Sequence, residues 1–123
     1  MIVGIGIDVA SIERMKRAIE RHGDRFVARL LTEREREIIA PRLEKAEAVA
    51  ARFAVKEAAY KALGGPRDVW WHHIEVERAP SGAPAILFHG PAVTRAGELG
   101  VKRSFVSITH DAGVAAAVVI LEA

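Results

Sequence analysis

The 123 residues are half hydrophobic and carry a formal net charge of +2, enough for one modest core and too few for two independent domains. The absence of cysteine excludes disulfides, thiolate catalysis and thiolate-bound zinc, which leaves carboxylates and histidines as metal ligands and favours a hard cation such as magnesium. No apolar run approaches the roughly eighteen residues that span a bilayer, and the N-terminus enters a structured-looking segment with no charged leader, so residues 1–123 read as a single cytoplasmic domain.

Residues Met1 to Val9 alternate as a strand does, with Val3, Ile5, Ile7 and Val9 on one face and Gly4, Gly6 and Asp8 on the other. The two glycines leave that second face open to another backbone or a ligand, and Asp8 projects a carboxylate from it. Ser11 is the expected N-cap of a helix carrying Ile12, Met15 and Ile19 at helical spacing and stopping near Gly23. Arg14, Lys16, Arg17, Arg21, Arg25 and Arg29 outnumber Glu13, Glu20 and Asp24 in this early stretch, giving it a basic surface that would attract an acidic protein or a polyphosphate.

Thr32 and Glu35 form a T-x-x-E capping box for a short helix from Glu33 to about Ala40, closed by Pro41. A longer helix, free of glycine and proline, runs from about Leu43 to Leu63 and stops at Gly64-Gly65-Pro66. After Trp70 and Trp71, the alternation of Ile74 and Val76 against Glu75 and Glu77 predicts a strand that turns at Pro80-Ser81-Gly82 into a partner at Ala85 to Phe88. A short helix around Ala92 to Leu99 ends at Gly100, and Ser104 to His110 then pairs with Val114 to Leu121 about the turn Asp111-Ala112-Gly113. With no internal repeat or linker, the pattern predicts an α+β fold, a mainly antiparallel sheet packed against a long central helix and shorter helices.

Charge concentrates on the long helix between Arg52 and Lys61. Glu57 and Lys61 stand one turn apart on a shared face and Lys56 lies about 100° round from Glu57, so one carboxylate is flanked by two cations. Such pairs are commonly solvated decoration, but Phe53, Ala54, Ala58, Ala59 and Ala62 between them indicate packing on more than one side. If Asp8 meets Glu57, two carboxylates can hold a magnesium ion completed by waters and substrate phosphate, with Lys56, Lys61 and Arg52 neutralising phosphate oxygens. His110 and Asp111 stand where a strand enters its turn, and each either serves the turn by hydrogen bonding or works on a proton. Gly64 and Gly65 either admit phosphate or cap the helix, and the helix dipole at a C-terminus favours capping. Trp70 and Trp71 read as core or interface anchors, and His22, His72, His73 and His89 as structural or surface residues.

Three segments resemble the holo-acyl-carrier-protein synthases, a class of 4′-phosphopantetheinyl transferases. Gly4-Ile5-Gly6-Ile7-Asp8 is similar to the family's G-I-G-x-D opening, Arg52-Phe53 through Lys56-Glu57, Lys61-Ala62 and Gly64 to its R-F-x-x-K-E-x-x-x-K-A-x-G helix, and Ser107-Ile108-Thr109-His110 to its late S-I/L-S/T-H strand. The resemblance implies that Asp8 and Glu57 bind magnesium and that Lys61, with Lys56, Arg52 and Gly64 nearby, contacts coenzyme A phosphates. It implies that His110 is a coenzyme A or catalytic-site contact and that Arg14, Arg21 and Arg25 receive an acidic acyl carrier protein. It further implies a homotrimer with active sites between subunits, with neither nucleic acid nor membrane as partner.

In the implied reaction a serine hydroxyl of the carrier attacks the β-phosphate of coenzyme A, takes the phosphopantetheine arm and releases 3′,5′-ADP. Glu57, Asp111, His110 and a metal-bound water all stay open as the general base. Gly64-Gly65-Pro66-Arg67 replaces the frequent G-T-G-I after the long helix, so no adenine contact carries over there. Two other readings compete. One is a noncatalytic adaptor docking acidic proteins or RNA, and the other is a magnesium-dependent hydrolase of nucleotide pyrophosphates.

Overall fold

The computed structural model describes residues 1–123. In chain order the elements are β1 Ile2–Ser11, α1 Ile12–His22, α2 Asp24–Leu30, α3 Glu33–Ile39, α4 Lys45–Ala62, β2 Ile74–Arg78, β3 Pro84–Phe88, α5 Pro91–Glu98, β4 Arg103–Asp111 and β5 Val114–Glu122. A 3-10 turn over Trp71–His73 leads into β2.

Alanine makes α4 the hub. Ala48, Ala50, Ala54, Ala58, Ala59 and Ala62 are all buried, so neighbouring backbones approach this helix on several sides. β1 comes closest. A Cβ at Gly4 would run into the carbonyl oxygen of Ala62, and one at Gly6 into that of Ala58. The glycine face that the alternation leaves open to another backbone or a ligand thus takes the backbone of α4, whereas Ile5, Ile7 and Val9 on the other face are 64, 64 and 60 % exposed.

β5 pairs antiparallel with β1 on one side and β4 on the other, while β2 and β3 form a separate antiparallel hairpin. The register sets Ile5, Ile120 and Phe105 in one row across the outer face and Ile7, Val118 and Ser107 in the next. The inner face presents Ala115, Ala117, Val119 and Leu121, all buried among the residues of the core. β4 and β5 are joined through Ala112 (φ 51°) and Gly113 (φ 80°), the two positive angles of a type I′ hairpin turn. The α+β architecture and its antiparallel pairing follow the sequence pattern; the division into two sheets does not.

Ser11 caps α1 by accepting a hydrogen bond from Arg14 N at 3.1 Å. Gly23 (φ 66°) then breaks the chain direction and α2 starts immediately. The basic stretch consequently occupies two helices: Arg14 and Arg21 lie on α1, but Arg25 and Arg29 lie on α2. The capping box forms, with Glu35 N donating to Thr32 Oγ1 at 3.2 Å and Thr32 N to Glu35 Oε1 at 2.8 Å.

Candidate functional site

Backbone contact positions the first carboxylate. With Gly6 pressed on Ala58, the next residue on that face, Asp8, arrives beside the C-terminal half of α4. Its Oδ1 accepts a hydrogen bond from Lys61 Nζ at 3.2 Å, and the same ammonium donates to the carbonyl of Ile7 at 2.9 Å. Lys61 thus contacts Asp8 from a position one turn beyond Glu57 on the same helix. The half-buried Glu57 contacts neither flanking lysine; its Oε1 accepts from Trp71 Nε1 at 2.8 Å. Glu57, Tyr60, Arg67, Trp70 and Trp71 line a cleft of about 250 Å³.

The donor atoms of Asp8 and Glu57 are of the kind a hard cation accepts. Every candidate ligand is oxygen, and a cation, the Lys61 ammonium, already rests on Asp8. No group of three or more His, Cys, Asp or Glu is arranged to hold a metal ion. An ion at Asp8 and Glu57 would therefore complete its shell from water and phosphate, the habit of magnesium rather than of zinc or calcium.

Lys56 is turned into the interior, away from any phosphate site. It is 1 % exposed, and its ammonium donates to Glu35 Oε1 at 2.7 Å, to the Trp71 carbonyl at 2.9 Å and to the Ile74 carbonyl at 2.5 Å. All three N–H bonds are used inside the protein, so none reaches a phosphate. Burial pushes the Lys56 pKa below the usual lysine value, against the opposing pull of Glu35.

Arg52 and His110 share a second cleft of about 250 Å³ with Arg42, Arg78, Glu47 and Glu77. Arg52 is 6 % exposed, donates from Nη1 to the Ala48 carbonyl at 3.4 Å and leaves Nε without a partner. Burial lowers its pKa, with Glu35 pulling the other way. His110 Nε2 lies 3.2 Å from Glu47 Oε1. Glu47 precedes Glu57 by ten residues on α4, a rise of about 15 Å, so one chain does not bring His110 to the Asp8–Glu57 corner. Asp111 is exposed at the hairpin turn beside it.

Gly64 and Gly65 cap α4. Gly65 N donates to the Tyr60 carbonyl at 3.0 Å and Gly64 N to the Lys61 carbonyl at 2.9 Å, the paired bonds of a Schellman end. Arg95 Nε donates to the Leu63 carbonyl at 2.8 Å, placing a cation at the negative end of the helix. Arg14, Arg21 and Arg25 are exposed, and a groove along Arg29, Trp70, Trp71 and His72 runs from α2 toward the Glu57 cleft.

Sequence reasoning missed Trp71, Glu35, Arg42, Arg78 and Arg95. Glu35 carries a signal of another kind, that of a capping residue, and the same Oε1 that bonds Thr32 N also pairs with Lys56. Nothing in the spacing of Trp71 from Glu57 marks their contact, which arises because the 3-10 turn folds back over α4.

The pattern of the 4′-phosphopantetheinyl transferase superfamily matches residues 4–119. The holo-[acyl-carrier-protein] synthase of Maridesulfovibrio salexigens is 46 % identical over 124 residues, covering 99 % of each chain. Among solved structures, the holo-[acyl-carrier-protein] synthase of Neisseria meningitidis superposes with a TM-score of 0.89 at 30 % identity, covering 100 % of both chains. That of Helicobacter pylori, in complex with coenzyme A, gives 0.83 at 30 % identity, covering 96 % of this chain and 99 % of the other. The chain belongs to the 4′-phosphopantetheinyl transferase superfamily and is an enzyme of that class.

Proposed function

We infer that this enzyme transfers the 4′-phosphopantetheine arm of coenzyme A to a serine of an apo acyl carrier protein, with magnesium, releasing 3′,5′-ADP. The observation that supports the reading is the contact of Asp8, from β1, with Lys61, which stands one helical turn beyond Glu57 on α4. The coenzyme A bound to the Helicobacter pylori protein and the name of the Maridesulfovibrio relative support donor and acceptor.

Asp8 and Glu57 would hold the magnesium ion, which when bound neutralises charge building on the pyrophosphate. Lys61, with half of its side chain in solvent, exchanges Asp8 for a phosphate oxygen. Arg52 and His110 line, with Arg42, Arg78, Glu47 and Glu77, a cleft whose three guanidinium groups outnumber its two carboxylates and would receive a further phosphate of the nucleotide. That cleft lies along α4 from Asp8 and Glu57, so a neighbouring copy supplies it, and the bare row of Ile5, Ile7 and Val9 is the face on which copies join as a homotrimer. His110 or Asp111 can take the serine proton only across that subunit boundary. Arg14 and Arg21 of α1 and Arg25 of α2 receive the acidic carrier. No helix is long and apolar enough to cross a membrane, and we assign the reaction to the cytoplasm.

Incubation with coenzyme A, magnesium and an apo carrier tests the reading by the carrier's mass. A gain of about 340 Da, one phosphopantetheine, is expected, and it disappears in Asp8→Ala and Glu57→Ala at unchanged fold. An unchanged carrier with coenzyme A consumed would establish the hydrolase instead, and an unchanged carrier with intact coenzyme A the adaptor.

A further inference from the structure

The carboxylate of Glu57 is tied at one oxygen only. Trp71 Nε1 donates to Oε1 at 2.8 Å, and indole nitrogen is a donor that can neither accept nor ligate. Trp71 itself is fixed at two points. Its ring packs on Phe53, with centroids 6.3 Å apart and planes inclined by 43°, and its carbonyl accepts from Lys56 Nζ at 2.9 Å. Lys56 is held in turn by Glu35 Oε1 and the Ile74 carbonyl, while Glu35 Oε2 accepts from Val76 N at 3.0 Å. A continuous chain of hydrogen bonds and covalent links therefore runs from the buried Glu35–Lys56 pair through Trp71 to Glu57. A buried ion pair stabilises a fold little compared with apolar packing. Anchoring the backbone that aims an indole at a metal-binding carboxylate is a use that accounts for it.

We propose that Trp71 is a positioning residue for Glu57: by engaging one lone pair of Oε1 it fixes the carboxylate plane and leaves Oε2 the freer oxygen, a bias toward one-oxygen binding that favours magnesium over calcium. The proposal rests on the magnesium reading given above. Magnesium takes carboxylates through single oxygens in a strict octahedron, whereas calcium accepts bidentate carboxylates and looser geometry. Outer hydrogen bonds of this kind commonly change metal affinity by 10- to 100-fold.

The test uses the full chain with coenzyme A present. Binding of Mn²⁺ is followed by electron paramagnetic resonance, with Mg²⁺ and Ca²⁺ as competitors, in wild type and in Trp71→Phe, which keeps the ring against Phe53 and deletes the donor. Magnesium affinity is expected to fall about 10-fold or more while calcium loses less, so discrimination narrows. Turnover lost at low magnesium returns at high magnesium, and the KM for the carrier stays unchanged. A second measurement needs no variant: adding Mg²⁺ to ¹⁵N-labelled wild type shifts the indole N–H resonance of Trp71 and leaves that of the exposed Trp70. Wild-type metal affinity and discrimination in Trp71→Phe, or an indole resonance of Trp71 indifferent to Mg²⁺, would overturn the positioning role and leave the magnesium reading standing. Failure of wild type to bind Mn²⁺ at all would overturn both.

Discussion

Lys56 and Lys61 lie on one helix, and the structure gives them opposite surroundings. The Lys56 ammonium is enclosed between α3 and β2 by Glu35 Oε1 and the carbonyls of Trp71 and Ile74. Lys61, by contrast, keeps half of its side chain in water and makes a single ion pair, with Asp8. An enclosed cation cannot leave without stranding its partner, whereas a solvated one changes partners cheaply. Two lysines within one motif therefore differ in kind, one fixed within the frame and the other solvated and able to change partners.

The comparison is broken most decisively at Lys56. Lys56→Met leaves Glu35 charged and unpaired in the interior, and urea denaturation should register a loss of about 3–5 kcal/mol. Adding Glu35→Gln to that variant should restore part of the loss through coupling of the pair. A loss below about 1 kcal/mol in the single variant would place Lys56 with the surface lysines.

Gly6→Ala comes next, because its methyl group meets the carbonyl of Ala58 rather than a yielding side chain. A destabilisation of about 3 kcal/mol is expected, with coenzyme A turnover falling further than stability alone explains as Asp8 is pushed off α4. Normal turnover in that variant would separate the Asp8 corner from the chemistry.

A smaller effect follows from Glu75, which supports the enclosed side. Burial raises its pKa, but hydrogen bonds from Thr32 Oγ1 at 2.5 Å and His89 at 3.2 Å outweigh this and hold it below the ordinary 4.5. A depressed carboxylate stabilises the fold above its unfolded pKa, and that contribution is lost as pH falls from about 4.5 through the lower folded value. The urea midpoint of wild type should thus drop more steeply below pH 4.5 than that of Glu75→Gln. Superimposable acid limbs would remove Glu75 from the account.

The smallest change in stability belongs to Lys61→Met, at most about 1 kcal/mol for a half-exposed pair. Its KM for coenzyme A should nevertheless rise. Matching stability losses for Lys56→Met and Lys61→Met would erase the contrast.

The sequence made α4, both hairpins and the Thr32–Glu35 capping box legible, because each is specified by neighbours close in the chain. α2 was invisible: seven residues following Gly23 without a pause are too few to display a helical period. For β1 both the alternation and the close approach to its glycine face were readable, but not that the backbone of α4, rather than a ligand, makes that approach. At the site, spacing placed Glu57, Lys61 and Lys56 correctly around α4 and misjudged their partners. An angle on a helix says where a side chain leaves the axis and nothing of which segment covers it, so Glu35 and Trp71 emerged only with the tertiary structure.

The seating of β1 on the carbonyls of Ala58 and Ala62 makes the stand-off of Asp8 from α4 a matter of main-chain dimensions. That spacing is calibrated by atoms common to every residue, not by side-chain volume. A gap gauged in this way leaves almost no latitude at two positions that carry no side chain.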